Sequence, residues 1–259
     1  MEEDVKTSVQ RQFSQNAKDY RVEPLFAQGD DLQYLLKAVP LTGDERVLDV
    51  ATGAGHVALA FAPHVEQCVG IDLTDSMVEV ATDFARERGI GNVHFATGDA
   101  EHLPFSAASF DLVTCRFAAH HFADVGRAVQ EVARVLKPGG AFLLIDHYAP
   151  EDEALDTFVN HLDKLRDPSH VREHRLSEYQ AWFADAGLLY REQRRWNLPL
   201  QFENWVQRAR TPADMKRKLA DYLREASPSC KETFCIQLDE HQHPVSFCLK
   251  CALVVGRKP

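Results

Sequence analysis

The chain has 259 residues, 45% of them hydrophobic and 26% charged, and its 39 acidic against 29 basic side chains leave a net charge of −10. That length can bury a full core as one large α/β domain, or as a domain carrying a helical insertion. The acidic balance argues against nonspecific nucleic-acid binding, which needs a Lys/Arg excess to neutralise phosphate, and points to small-molecule partners.

The opening stretch, MEEDVKTSVQRQF, is acidic and polar where a secretory signal would have a basic start and an apolar centre, so a cytoplasmic protein is expected. No apolar run approaches the length of a membrane span, and no membrane insertion is expected. Residues 1–45 read as helical, first VKTSVQRQFSQNAKDY and then LFAQGDDLQYLLKAV, ending at Pro40. Phe13, Ala17 and Tyr20 recur at helical spacing, so one face packs against something. A segment ahead of the first strand can also lie over a ligand site as a lid. Tyr20 is the candidate for that contact, with Gln28 and Gly29 behind it.

From Arg46 to Ala62, RVLDVATGAGHVALAFA, a short apolar strand passes through Thr52-Gly53-Ala54-Gly55 into an alanine-rich helix. Gly53 and Gly55 give the turn access to positive φ and let the backbone approach a ligand, while the helix behind offers free N–H groups. Gly53-x-Gly55-x-x-Ala58 also satisfies the dinucleotide fingerprint. However, Asp49 stands at the strand end, where a carboxylate would repel a pyrophosphate. A ligand with an amino group and a sulfonium suits it better, and S-adenosyl-L-methionine is such a ligand.

CVGIDLT is a second apolar strand ending in Asp72, placed to accept from ribose hydroxyls. Asp75 suits the N-cap of the following helix, SMVEVATDFARERG, and Leu73 and Met77 can pack on an adenine. NVHFATGDAEHLPF supplies a third strand and then Gly98-Asp99-Ala100-Glu101, where Asp99 can accept from an adenine amino group beside the backbone of Ala100. FDLVTCRFAAHHFAD supplies a fourth strand, Asp111 to Cys115, and a loop with Arg116, Phe117, His120, His121 and Phe122. That loop begins the other side of the topological switch and should line a substrate. The helix VGRAVQEVARVL is closed by Lys137-Pro138-Gly139-Gly140 as a stop and turn. AFLLIDHY is a fifth strand ending in Asp146, His147 and Tyr148.

Beyond Pro150, ALDTFVNHLDKLRDPSHVREH reads as a charged amphipathic helix and LSEYQAWFADAGL as another. LLYREQRRWNLPLQF is a sixth strand, ENWVQRA and ADMKRKLADYLREA are further helices, and TFCIQL and VSFCLKCALVVGRK close the sheet. Trp182, Phe183, Trp196 and Trp205 read as core, with Trp196 the foremost candidate for a substrate wall. Cys248-Leu-Lys-Cys251 has C-x-x-C spacing, with Cys230, Cys235, His241 and His243 upstream. On a strand, residues three apart face opposite sides, so structural cysteines are expected and no metal.

The ordered set VLDVATGAG, GIDLTDSMVEVA, GDAEHLPF, FDLVTCRFAAHHF and RVLKPGG resembles a class I, Rossmann-like S-adenosylmethionine-dependent methyltransferase, most similar to the small-molecule enzymes near the ubiquinone and menaquinone biosynthesis type. The resemblance spans roughly Arg46 to Ala149. It implies a doubly wound α/β fold with a mostly parallel seven-stranded sheet, an antiparallel last strand and helical insertions over the carboxyl edge. Residues 1–45 would form an N-terminal lid, 46–150 the cofactor-binding core, and 151–259 the rest of the sheet with a substrate cap. It also implies that Asp49, Gly53 and Gly55 hold the methionine part, Asp72 the ribose, and Asp99 with Ala100 the adenine. The run from Phe13 to Tyr20 resembles the family's lid motif, and Arg116, heading the fourth-strand loop, joins Tyr20, Leu73 and Met77 in the cofactor set. Where quinone enzymes carry Arg-Asn, this chain has Arg116-Phe117.

Methyl transfer from a sulfonium is displacement at an already activated carbon, so the protein mainly aligns the reactants. Where the acceptor must lose a proton, a histidine can serve as base. His121 and His147 are the candidates, because His120 and His121, as neighbours, should point apart. The expected partner is a small-molecule methyl acceptor, and a homodimer is left open. Two other readings stay open: an NAD-dependent oxidoreductase, and a non-catalytic cofactor-binding or regulatory protein.

Overall fold

The computed structural model describes residues 4–259, so the first three residues of the expected lid lie outside the described residues. Strands β1 (Arg46–Val50), β2 (Gln67–Asp72), β3 (Val93–Thr97), β4 (Phe110–Arg116) and β5 (Leu136–His147) pair in parallel, and the sheet order is β3-β2-β1-β4-β5-β8-β6. The last strand, β8 (Pro244–Arg257), runs antiparallel between β5 and β6 (Leu189–Gln201). The order reverses between β1 and β4, which opens a crevice at their carboxyl ends.

Strand alternation assigns the core. Val47, Leu112 and Leu143 belong to one buried cluster, with α4 (Asp31–Leu36), α5 (His56–Phe61) and α6 (Asp75–Glu87). Leu48, Val113 and Leu144, each one residue on, belong to a second, with α7 (Val125–Val135) and α9 (Leu176–Asp185). Neighbouring side chains on a strand face opposite ways, so both faces of the sheet are covered and its strands read as unbroken apolar runs. A third cluster joins α8 (Glu153–Arg166), α10 (Phe202–Arg208), α11 (Ala213–Arg224) and α12 (Pro228–Thr233) to the ends of β6 and β8.

Four expectations change in detail. The N-terminal helices are broken into α1 (Val5–Ser14), α2 (Ala17–Val22), α3 (Pro24–Ala27) and α4, because Pro24 starts a new turn and the chain bends at Gln28. The expected strand TFCIQL shrinks to β7 (Gln237–Leu238) beside β8, since Pro228 opens α12 through Thr233. The helix after Pro150 stops at Arg166, and Asp167 turns the chain by accepting from the Ser169 N–H and hydroxyl. Lys137 to Gly140 form a register shift at the start of β5, with Gly139 at φ +79. Among the described residues no helix is long and apolar enough to cross a membrane.

Candidate active site

The turn after β1 holds the crevice open. Gly53 has φ +54 and donates its N–H to Asp72 Oδ2 at 2.9 Å, while Thr74 N–H donates to Asp72 Oδ1 at 3.0 Å. The carboxylate at the end of β2 is thereby locked against the turn after β1. Thr74, one residue before the expected cap, is the N-cap residue of α6, and Asp75 opens its first turn. Gly55 has φ +84 at the N-cap of α5, and a Cβ there would meet the Phe95 ring at 2.8 Å. Gly55→Ala therefore loses stability by at least about 1–2 kcal/mol for the left-handed backbone alone, and a thermal melt checks it as a lower midpoint.

Beyond the turn lies a cavity of about 1050 Å³, counted to its open mouth, which suits a nucleoside-sized ligand. Its wall brings together Tyr20, Asp49, Gly53, Asp72, Leu73, Met77, Asp99, Ala100, Arg116 and His121. Gly55 is not on that wall. It shapes the turn from behind, against Phe95.

Asp49 is buried, accepting from the Thr52 hydroxyl at 2.6 Å and the Thr114 hydroxyl at 2.7 Å. Burial pushes its carboxyl up to about 6 against those hydrogen bonds and the nearby Arg116 charge. Burial likewise raises Asp72, against its two backbone donors. Asp99 is more open: burial acts to raise it, but Lys6 Nζ at 2.7 Å and the Glu101 N–H at 2.9 Å hold it below the usual range. Lys6 also pairs with Glu101 at 2.7 Å.

The N-terminal segment closes the cavity through several polar contacts. Besides Lys6, Gln10 donates to the Leu73 carbonyl at 2.9 Å, and His56 Nε2 lies 3.1 Å from the Tyr20 carbonyl. Arg116 anchors the segment from below. Its guanidinium donates to the Asp31 carboxylate and to the carbonyls of Phe26 (3.0 Å) and Leu25 (3.2 Å), with both charged side chains 5% exposed. Tyr20 stacks on Phe26 at 5.0 Å and leans on Phe13 at 5.4 Å.

A second cavity adjoins the first and shares Phe13, Tyr20, Phe26, Phe117 and His121 with it. Its far wall carries His120, His147, His170, Asp163, Arg166 and Arg208. The expectation that His120 and His121 point apart is corrected. They sit in one tight 3-10 turn, Ala119–His121, with ring centroids 4.3 Å apart, and both face this space. His120 Nδ1 lies 2.6 Å from Asp146 Oδ1, and His120 also stacks on His147 at 5.2 Å. Burial pushes His121 down to about 4 and His147 to about 3, with the charge on His120 adding to both. Burial acts the same way on His120, but the Asp146 carboxylate outweighs it and raises that group. The two favoured histidines thus reach the expected cavity as neutral imidazoles of low basicity.

Sequence reasoning missed Lys6, Asp163, Arg166, His170 and Arg208. Asp163 and Arg166 read as the polar side of an amphipathic helix, and only the abrupt Asp167-Pro168 stop signalled that the helix end turns inward. Trp205, 1% exposed, lines the second cavity, whereas the foremost candidate, Trp196, packs on Tyr34 at 5.3 Å. All six cysteines are free, and Cys248 and Cys251 lie on β8 as a strand spacing requires.

Comparison with known proteins agrees with this layout. A methyltransferase domain family matches residues 48–144, the part that carries the glycine turn and the carboxylates of β1 to β3. The uncharacterized methyltransferase YcgJ of Bacillus subtilis is 54% identical over 95% of this chain and 97% of its own. Its crystal structure superimposes with a TM-score of 0.86 over 88% of this chain and 97% of that one. A Bacillus halodurans C-125 protein assigned as a methyltransferase, 39% identical, gives the same TM-score over 89% of this chain and 100% of its own. The ubiquinone/menaquinone biosynthesis C-methyltransferase of Idiomarina loihiensis is 37% identical, but over only 43% of this chain and 46% of its own. Likeness of that extent along almost the whole length makes this chain a member of the methyltransferase domain family and an enzyme of the methyl-transferring class.

Proposed function

We propose that the protein is a cytoplasmic enzyme that transfers a methyl group from S-adenosyl-L-methionine to an oxygen, carbon or nitrogen of a small organic acceptor. The observation that carries this reading is the alignment of Asp49, Asp72 and Asp99 after three neighbouring strands on one cavity wall, with a second cavity opening beside them. Asp49 would face the cationic methionine part, the braced Asp72 the ribose hydroxyls, and Asp99 with the Ala100 backbone the adenine. Bound there, the cofactor supplies an electrophilic methyl carbon. Phe13, Tyr20, Phe26 and Phe117 then exclude water and hold an acceptor in line. In this reading residues 1–45 are the lid, 46–150 the cofactor core, and 151–259 the cap that walls the acceptor. His121 and His147 contribute neutral hydrogen-bonding groups to that wall.

The pH dependence of binding tests the assignment. A cationic ligand binds the ionised form of Asp49, so its affinity is nearly full at neutrality, halves where the carboxyl is half protonated, at about pH 6, and falls further below that. With a group at about 6, one linked proton weakens binding roughly tenfold at about pH 5 relative to neutrality. Calorimetry with S-adenosylmethionine should show that loss, and Asp49→Asn should bind more weakly at neutrality with the acid dependence flattened. A dinucleotide that stabilises the protein in thermal shift where S-adenosylmethionine does not would overturn the reading in favour of an oxidoreductase. Cofactor binding with no S-adenosylhomocysteine formed across a broad acceptor panel would favour a regulatory protein.

A further inference from the structure

Two wall residues of the second cavity, His120 and His147, form with the buried Asp146 behind them a cluster that methyl transfer by alignment does not require. One donor atom from each of His120, Asp146 and His147 lies within 4.8 Å of the others, and these are the described residues whose side chains converge in this way. The three come from two segments: the tight turn after β4 and the end of β5. The parallel pairing of those strands sets Arg116 opposite Ile145, so both segments leave the sheet at the same edge.

His120 and Asp146 are buried and already in contact, with His120 Nδ1 2.6 Å from Asp146 Oδ1. The His147 backbone N–H donates to the same oxygen at 2.8 Å, which ties the third residue to the cluster. His147 Nδ1 stands 3.7 Å from Glu173 Oε1, beyond hydrogen-bond reach. The second observation is independent: His147 Nε2 is buried and has no hydrogen-bond partner among the described residues. A buried nitrogen left unpaired is costly, and a cation supplies the missing partner.

We propose that His120, His147 and Asp146 form a binding site for a divalent first-row transition-metal ion in the second cavity. Two imidazoles and one carboxylate suit zinc or ferrous iron better than magnesium or calcium, which take oxygen ligands. Three protein ligands leave coordination positions open. The site faces the space beside Phe117 and His121, which also line the first cavity. That an acceptor's heteroatom would occupy an open position rests on the methyl-transfer reading. The ion site itself does not, and it is measured without cofactor or acceptor.

The test is titration of metal-free protein with Co²⁺ and Zn²⁺, followed by visible absorption and equilibrium dialysis. The expected result is one ion per chain with micromolar affinity and cobalt ligand-field bands free of thiolate charge transfer. His147→Ala should weaken binding by about 30-fold or more, and Asp146→Asn should weaken it as well. The thermal melt of each variant checks that it has folded. If a variant fails that check, the wild-type spectrum and stoichiometry still decide. The site is overturned by three results: wild-type protein that retains no stoichiometric ion on dialysis, binding that His147→Ala leaves unchanged, or a thiolate charge-transfer band that Cys235→Ser removes together with the ion. Because metal binding is read alone, its failure leaves methyl transfer standing, and loss of methyl transfer leaves the ion site standing.

Discussion

Asp72→Ala should abolish useful cofactor binding. Asp72 is buried at the end of β2, with one oxygen held by Gly53 N–H and the other by Thr74 N–H. Its remaining lone pairs face the cavity, where they would accept from two ribose hydroxyls. Hydrogen bonds to a charged acceptor contribute about 1.5–3 kcal/mol each, so losing two weakens binding by roughly 100-fold or more. The same change strips the turn after β1 of its brace, which adds to the loss. Asp72→Asn keeps one carbonyl oxygen and should fall between wild type and Asp72→Ala. Calorimetry with S-adenosylhomocysteine measures all three. Affinity within threefold of wild type for Asp72→Ala would remove Asp72 from the cofactor site.

Arg116→Met should give the largest loss of stability. Removing the guanidinium leaves the Asp31 carboxylate buried without its ion-pair partner and two carbonyls of α3 without their donors. Breaking a buried pair from one side destabilises by about 3–5 kcal/mol. For a chain of this size that lowers the melting midpoint by roughly 10 °C, if the segment unfolds with the rest. If the N-terminal segment instead detaches locally, the midpoint holds and limited proteolysis cuts between α2 and α4. The double variant Arg116→Met with Asp31→Leu removes both charges and should recover most of the loss, because a buried pair replaced by apolar side chains is close to neutral. A double variant no better than the single would show that the carbonyl contacts, and not the ion pair, hold the segment.

The wall of the first cavity was legible in the sequence because its determinants are local. In VLDVATGAG the strand, the left-handed turn and the start of the helix follow one another within a few residues, and each carboxylate stands at the end of the strand that aims it. The second cavity was not legible for the converse reason. Its wall is assembled from α1 and α2, the turn after β4, the end of β5, the stop of α8, and β6, α10 and β8. Nothing in the spacing of Asp163, Arg166 and His170 tells that they meet His120. Charged residues on a helix ordinarily face water, and here Arg166 turns inward because the Trp205 carbonyl on α10 accepts from its Nε at 3.0 Å. His120 and His121 failed on a finer point. Adjacent residues diverge on a strand, but in a tight 3-10 turn both rings cross the same edge of the sheet. Trp196 and Trp205 failed on register: Trp196 lies along β6 facing α4, while Trp205 sits on the helix that caps the cavity.

The bridge from Lys6 to Asp99 has a kinetic meaning. In the closed protein the ammonium occupies the carboxylate oxygen that the adenine amino group would claim, and Gln10 holds the neighbouring Leu73 carbonyl. On the methyl-transfer reading, a nucleoside entering the first cavity would have to displace α1 before docking. An acceptor in the second cavity, which Phe13 and Tyr20 of the same segment line, would meet its full wall only after α1 and α2 had settled again. Such a device would impose an order of addition, nucleoside first and acceptor second, with the opening of a short helix as the clock of the cycle. Because the latch is an ion pair that keeps more than a quarter of each side chain in contact with solvent, salt should weaken it, and turnover limited by product escape should rise with ionic strength.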